Sequence, residues 1–100
     1  MYEWKNIRKV TGLSRRQIIQ LQKKVIQRKN KITVRIAYDY SKEEVKLFVI
    51  ASFFKNAGYK YSEIKEKMEK YLIDPKNTIL ECIEYIILNQ KILKKYWTRI

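Results

Sequence analysis

The pattern of hydrophobic and polar positions predicts five helices and one short hairpin. In most of the chain, apolar residues recur three or four positions apart, the spacing that places them on one face of a helix. The predicted helices begin near residues 3, 14, 41, 61 and 75. Between the second and the third, apolar and polar residues alternate one by one, and this period of two predicts a strand. The chain is therefore predicted to be mainly α-helical.

A tight turn separates the first two predicted helices. The first covers about residues 3–10 and is broken by Thr11-Gly12. Ser14 and Gln17 have the spacing of a capping box, which starts the second helix. In the second helix, the positions predicted to face the core are Ile18, Leu21 and Val25. Two helices joined in this way predict a helix-turn-helix.

A two-stranded hairpin is predicted to follow the second helix. Its longer strand has alternating apolar positions at Ile32, Val34, Ile36 and Tyr38. Residues 25–27 are the predicted partner strand, and residues 28–31, which include Arg28, Lys29 and Lys31, are the connection. Such a hairpin would be a basic wing. Like charges on one loop favour an anionic partner, although loops of this composition also occur simply solvated.

The third predicted helix is apolar nearly all round, which indicates a central position. Ser41 and Glu44 form a second capping box at its start, and Gly58 stands at the expected C-cap. The fourth helix has alternating charges on one side, as expected of a solvated face. Most of the aromatic residues in these helices are predicted to belong to the core rather than to stack on bases.

The fifth predicted helix runs from Pro75 to about Trp97, a length of about 35 Å. Its apolar positions follow a four-three heptad spacing, with one polar residue, at Ile79, Ile83, Ile86, Gln90, Leu93 and Trp97. This spacing predicts a dimerisation coiled coil in which Gln90 fixes the register. The alternative is a helix that folds back onto its own domain.

Charge is concentrated at the N-terminal end of the chain. The net charge is +13 over 100 residues. Residues 1–41 contain eleven Lys and Arg against two acidic residues, a net +9, whereas residues 42–77 and 78–100 have +2 each. A basic patch confined to one segment is typical of a nucleic-acid-binding protein. The alternative is a lysine-rich surface that reflects the composition of the genome.

Several function classes have no support in the sequence. The chain has no histidine and no glycine-rich phosphate loop, and capping explains Glu43 and Glu44, so we expect neither an enzyme nor a cofactor or metal. Cys82 is the single cysteine, which excludes an internal disulfide and favours a buried packing role in a reducing compartment. No apolar run is long enough to span a membrane, and the N-terminus does not resemble a signal peptide. We expect a cytoplasmic location, associated with the nucleoid.

The order of elements resembles the MerR family of winged-helix transcription regulators. The similarity covers residues 2 to about 72 and is most specific in residues 38–68 (YDYSKEEVKLFVIASFFKNAGYKYSEIKEKM), with residues 10–14 (VTGLS) resembling the family's turn. The fifth helix occupies the place of the family's antiparallel dimerisation helix. Residues 17–22 depart from the family pattern, so its contacts do not transfer to positions 19, 20 and 38. The resemblance implies a winged helix-turn-helix in residues 1–73 and a dimerisation helix in residues 74–100, with no effector domain.

Together these features predict a sequence-specific, dimeric regulator of transcription that binds double-stranded DNA. The residues predicted to contact bases, on the outer face of the second helix, are Arg15, Arg16, Ile19, Gln20 and Lys23. The residues predicted to contact phosphates are Lys5, Arg8, Lys9, Lys24, Arg28, Lys29, Lys31 and Arg35. We expect a second copy of the chain as a partner, with RNA polymerase as a further one, and no small-molecule ligand.

Two other hypotheses remain open at this stage. An architectural or excisionase-like DNA-binding protein of a phage or mobile element would have the same basic, effector-free form. A module that places its basic end on an acidic protein surface is the third hypothesis, and the departures in the second helix are its motive.

Overall fold

The computed structural model describes residues 1–28 and 31–98, with side chains as far as Asn89. It is mainly helical, as predicted, and its helices are α1 (Trp4–Thr11), α2 (Arg15–Lys24), α3 (Lys42–Ala57), α4 (Tyr61–Ile73) and α5 (Pro75–Thr98).

The predicted helix boundaries are confirmed by their capping interactions. The Ser14 hydroxyl accepts from the backbone N–H of Gln17 at 3.1 Å, and the Gln17 side chain accepts from the N–H of Ser14 at 2.9 Å. Ser41 and Glu44 make the same pair of bonds at the start of α3. Gly12 ends α1 with a φ of 73°, a left-handed conformation that costs glycine little because it has no Cβ.

The core forms around α3, which packs against each of the other four helices. Phe48, Ala51 and Phe54 of α3 are fully buried, and they meet Ile7 from α1 and Leu21 from α2. This arrangement confirms the central position predicted for the third helix. It also fixes α2 between the core on one side and solvent on the other.

The first half of α5 lies against its own domain. Thr78 and Cys82 are buried, and Tyr85 and Ile86 pack against the core. The helix contacts both α4 and α3. The fold-back alternative therefore describes this half of the helix, and the buried packing role predicted for Cys82 is confirmed. Burial raises the pKa of its thiol.

The predicted two-stranded wing is wrong. Between α2 and α3 the described residues form bends and irregular backbone, with one isolated bridge that joins Tyr40 to Tyr2 near the N-terminus. Most of the predicted apolar face stays in water, since Ile32 and Val34 are 62% and 56% exposed, whereas Ile36 packs against the core. A strand pair needs a buried face to be stable, because an isolated hairpin is marginal in water. Side chains rather than a second strand hold the described residues of this segment, which we call the basic loop (residues 26–28 and 31–39).

Candidate nucleic-acid interface

The outer face of α2 displays most of the residues that were predicted to contact bases. Ile18 and Leu21 are fully buried and Val25 is half-buried, so the predicted inner face of the helix is confirmed. The opposite side has three exposed and two half-buried residues. The exposed ones are Arg15, Arg16 and Lys23, and the half-buried ones are Ile19 and Gln20.

The N-terminal helix extends this basic face. The guanidinium carbon of Arg15 lies 6.0 Å from the centre of the Trp4 ring, within the range of a cation–π contact between α2 and α1. Such a contact orients Arg15 without neutralising its charge. Lys5, Arg8 and Lys9 of α1 are exposed, as a role in phosphate contact requires.

A second basic cluster lies where α2 approaches the start of α4. The ammonium groups of Lys24 and Lys55 lie 5.1 and 4.7 Å from the centre of the same Tyr61 ring. The pair concentrates positive charge at the end of α2, which suits an anionic partner. The sequence pattern indicates Lys24 but not Lys55 or Tyr61, because only the packing of α3 and α4 against α2 brings the three together.

Arg28 does not occupy the position predicted for a phosphate contact. Only 6% of the residue is exposed. Its guanidinium pairs with Glu44, and its Nη2 donates to Oδ1 of Asp39 at 3.1 Å. The guanidinium also lies 4.5 Å from the centre of the Tyr40 ring. Because these carboxylates neutralise its charge and the residue is buried, Arg28 is not available to contact a phosphate, and it is not part of the candidate interface.

The pKa values of Arg28, Glu44 and Asp39 are shifted by the interactions within this cluster. Burial by itself would lower the pKa of Arg28, but hydrogen bonds and charges from Glu44 and Asp39 outweigh it and raise the pKa. Burial would likewise raise the pKa of Glu44, yet hydrogen bonds from Arg28 and Ser41 lower it below its ordinary value. The pKa of Asp39 is lowered by hydrogen bonds from Lys31 and Arg28. All three groups are therefore held in their charged forms.

The basic loop is attached to α2 through Gln22, which is fully buried. The Gln22 amide nitrogen donates to the carbonyl oxygens of Thr33 and Arg35 at 3.1 and 2.7 Å. Its oxygen accepts from the Tyr40 hydroxyl, which in turn accepts from the backbone N–H of Ala37 at 3.1 Å.

Two of the predicted phosphate contacts, Lys31 and Arg35, lie on this loop and are exposed. The Lys31 ammonium shares Asp39 with Arg28, at 3.0 Å from Oδ2. Lys29 is also a predicted phosphate contact in this part of the chain, but it lies outside the described residues.

The predicted coiled-coil seam is only partly free. Ile83 is 42% exposed, whereas Ile79 and Ile86 are half-buried. Leu80 and Ile87 are also exposed and widen the apolar surface to one side of Ile83. The side chains of the remaining seam residues, Gln90, Leu93 and Trp97, lie outside the described ones.

The described part of the chain has neither a metal site nor a membrane-spanning helix. No group of three or more cysteine or acidic side chains there is arranged to hold a metal ion. No helix among these residues is long and apolar enough to cross a membrane. No family model, curated protein or solved structure matches the chain. The resemblance to MerR regulators therefore remains a prediction.

Proposed function

We propose that the protein is a sequence-specific double-stranded DNA-binding regulator that places α2 in the major groove. The main support is the outer face of α2, where Arg15, Arg16 and Lys23 are exposed. Among the described residues, no carboxylate forms an ion pair with any of these three side chains. Arginine can bind a guanine edge with two hydrogen bonds, and a half-buried Gln20 beside it suits an adenine edge.

Phosphate contacts would come from both sides of this helix. On one side lie Lys31 and Arg35 of the basic loop, and on the other lies the pair Lys24 and Lys55 at Tyr61. The basic residues of α1 would contact the adjoining phosphates of the DNA backbone. Contacts of this kind fix the position of a protein on the duplex and make its affinity depend on salt.

A homodimer formed through α5 completes the proposal. The exposed residues Leu80, Ile83 and Ile87 lie next to half-buried Ile79 and Ile86, so an apolar band follows the helix. A dimer would present two copies of α2 to a palindromic site.

The test is fluorescence anisotropy with labelled duplex DNA at several salt concentrations. We expect Arg16→Ala to weaken binding to a preferred sequence by about 1–3 kcal/mol and to relax its sequence preference. Lys70→Ala is the matched control, since it removes one positive charge from the outer side of α4, where Lys70 pairs with Glu66. Equal losses for the two variants would refute base contact by Arg16.

Other outcomes of the same titration would support the rival hypotheses. Salt-dependent binding without any sequence preference would favour an architectural protein. Failure to bind DNA together with binding to an acidic protein would favour an interaction module.

A further inference from the structure

Gln22 is a buried polar residue on the inner side of the helix proposed to contact DNA. Its neighbours on that side, Ile18 and Leu21, are apolar, and an apolar residue at position 22 would avoid the cost of burying an amide. The amide is nevertheless fully used. Both its nitrogen and its oxygen have partners, and no described buried side-chain polar atom lacks one. The partners lie not on α2 but on the basic loop and at Tyr40, the residue that follows it.

These bonds reach the backbone of every second residue from 33 to 39. Gln22 binds the carbonyl oxygens of residues 33 and 35, the Tyr40 hydroxyl accepts from the N–H of residue 37, and Arg28 donates to the carbonyl oxygen of residue 39 at 3.2 Å. The two carbonyl oxygens that Gln22 binds converge on one nitrogen, so the backbone between them is bent rather than extended. Three side chains thus hold this bent backbone where the predicted wing would have had a partner strand.

The attachment fixes the loop relative to α2 in particular. Gln22 lies on α2, and the Arg35 carbonyl is its shorter partner, at 2.7 Å. The exposed Arg35 side chain therefore starts from backbone that is tied directly to the helix. The Lys31 side chain of the loop is held by its ion pair with Asp39, which also pairs with Arg28.

We propose that Gln22 is a positioning residue of the DNA interface. It holds the basic loop in a fixed position relative to the outer face of α2, so that the helix and the loop meet the groove and the phosphate backbone together. This inference rests on the proposed function and adds to it a residue that touches no DNA. A loop held in its bound position loses less conformational freedom on binding, and such preorganisation increases affinity.

The experiment is a double-mutant cycle between Gln22→Met and Arg35→Ala, with DNA affinity measured by anisotropy. Methionine matches glutamine in length but cannot donate to the loop carbonyls. The cycle is clean because Gln22 binds the backbone of residue 35, which Arg35→Ala retains. We expect Gln22→Met to weaken binding about tenfold and to reduce the salt slope by about one, although it removes no charge. In the Arg35→Ala background its effect should fall to about twofold or less.

Thermal unfolding of each variant shows whether the assay temperature lies within the folded range. If Gln22→Met does not fold, Tyr40→Phe takes its place in the cycle, because it removes the hydroxyl and keeps the ring that packs on Phe48 and Arg28. An unchanged affinity of the folded variant, or an equal loss in both backgrounds, would overturn the positioning role while leaving the proposed function intact. If the wild-type chain does not bind duplex DNA, the proposed function fails and this inference fails with it.

Discussion

Arg28→Met is expected to destabilise the fold, because it removes the centre of the ion-pair cluster between the basic loop and α3. Methionine retains much of the aliphatic stem of Arg28, but it removes the guanidinium that lies over the Tyr40 ring and leaves two carboxylates without their shared cation. Breaking a fully buried pair costs about 3–5 kcal/mol. The cost here should be smaller, because the Glu44 side chain is 18% exposed and keeps its bond to the backbone of Ser41. Asp39 is 46% exposed and keeps Lys31.

We therefore expect Arg28→Met to lower the free energy of unfolding by about 2–3 kcal/mol. The measurement is urea unfolding at neutral pH, followed by circular dichroism. Lys31→Met is the control, since it removes a cation from the same Asp39 at an exposed pair and should cost less than about 1 kcal/mol. If the two variants lost the same small amount, the cluster would not stabilise the fold, and Arg28 would again be a candidate for phosphate contact.

Three further predictions concern acid stability, the first turn and the dimer. In the folded protein the pKa values of Asp39 and Glu44 are lowered from 3.8 and 4.5, so the stability that these carboxylates contribute is present above 3.8 and 4.5 and is lost as the pH falls through the lowered pKa values. The difference in free energy of unfolding between wild type and Glu44→Gln, measured by urea unfolding, should therefore shrink between pH 7 and pH 3. A constant difference would contradict this. Gly12→Ala should lower the free energy of unfolding by about 1–2 kcal/mol, because its φ of 73° is unfavourable for alanine. No atom lies within 4 Å of the new Cβ, so this cost would come from the backbone conformation alone, and an unchanged melting temperature would refute it. Ile83→Lys should give a folded monomer in light scattering at a concentration where wild type and the exposed control Glu84→Lys are dimers, and a dimeric Ile83→Lys would exclude this seam.

Much of the helical framework could be predicted from local sequence. A helix start depends on a few neighbouring residues, and the pairs Ser14 with Gln17 and Ser41 with Glu44 identify two such starts directly. Gly12 and Gly58 mark helix ends for the same local reason, since both adopt left-handed backbone.

The basic loop could not be predicted in this way. Its alternation at Ile32 and Val34 is that of a strand, but a strand needs partners for its backbone and a surface to cover its apolar side. Here the partners are the side chains of Gln22 on α2, of Tyr40 after the loop and of Arg28 within it, and hydrophobic periodicity does not indicate them.

Charge counts had a similar limit at the candidate interface. They weighted Arg28 and Arg16 equally, although tertiary packing buries the first against two carboxylates and leaves the second exposed. They also gave no reason to select Lys55, whose position beside Lys24 depends on how three helices pack around Tyr61.

Selection of bound duplexes from random DNA, with wild type and Arg16→Ala run side by side, is the sharpest test of base contact by α2. Wild type should enrich a recurrent sequence, arranged as an inverted repeat because the protein is proposed to bind as a dimer. Arg16→Ala should lose the preference at one position of each half-site. Recovery of no recurrent sequence by wild type, or of the same sequence by both proteins with equal enrichment, would contradict this base contact.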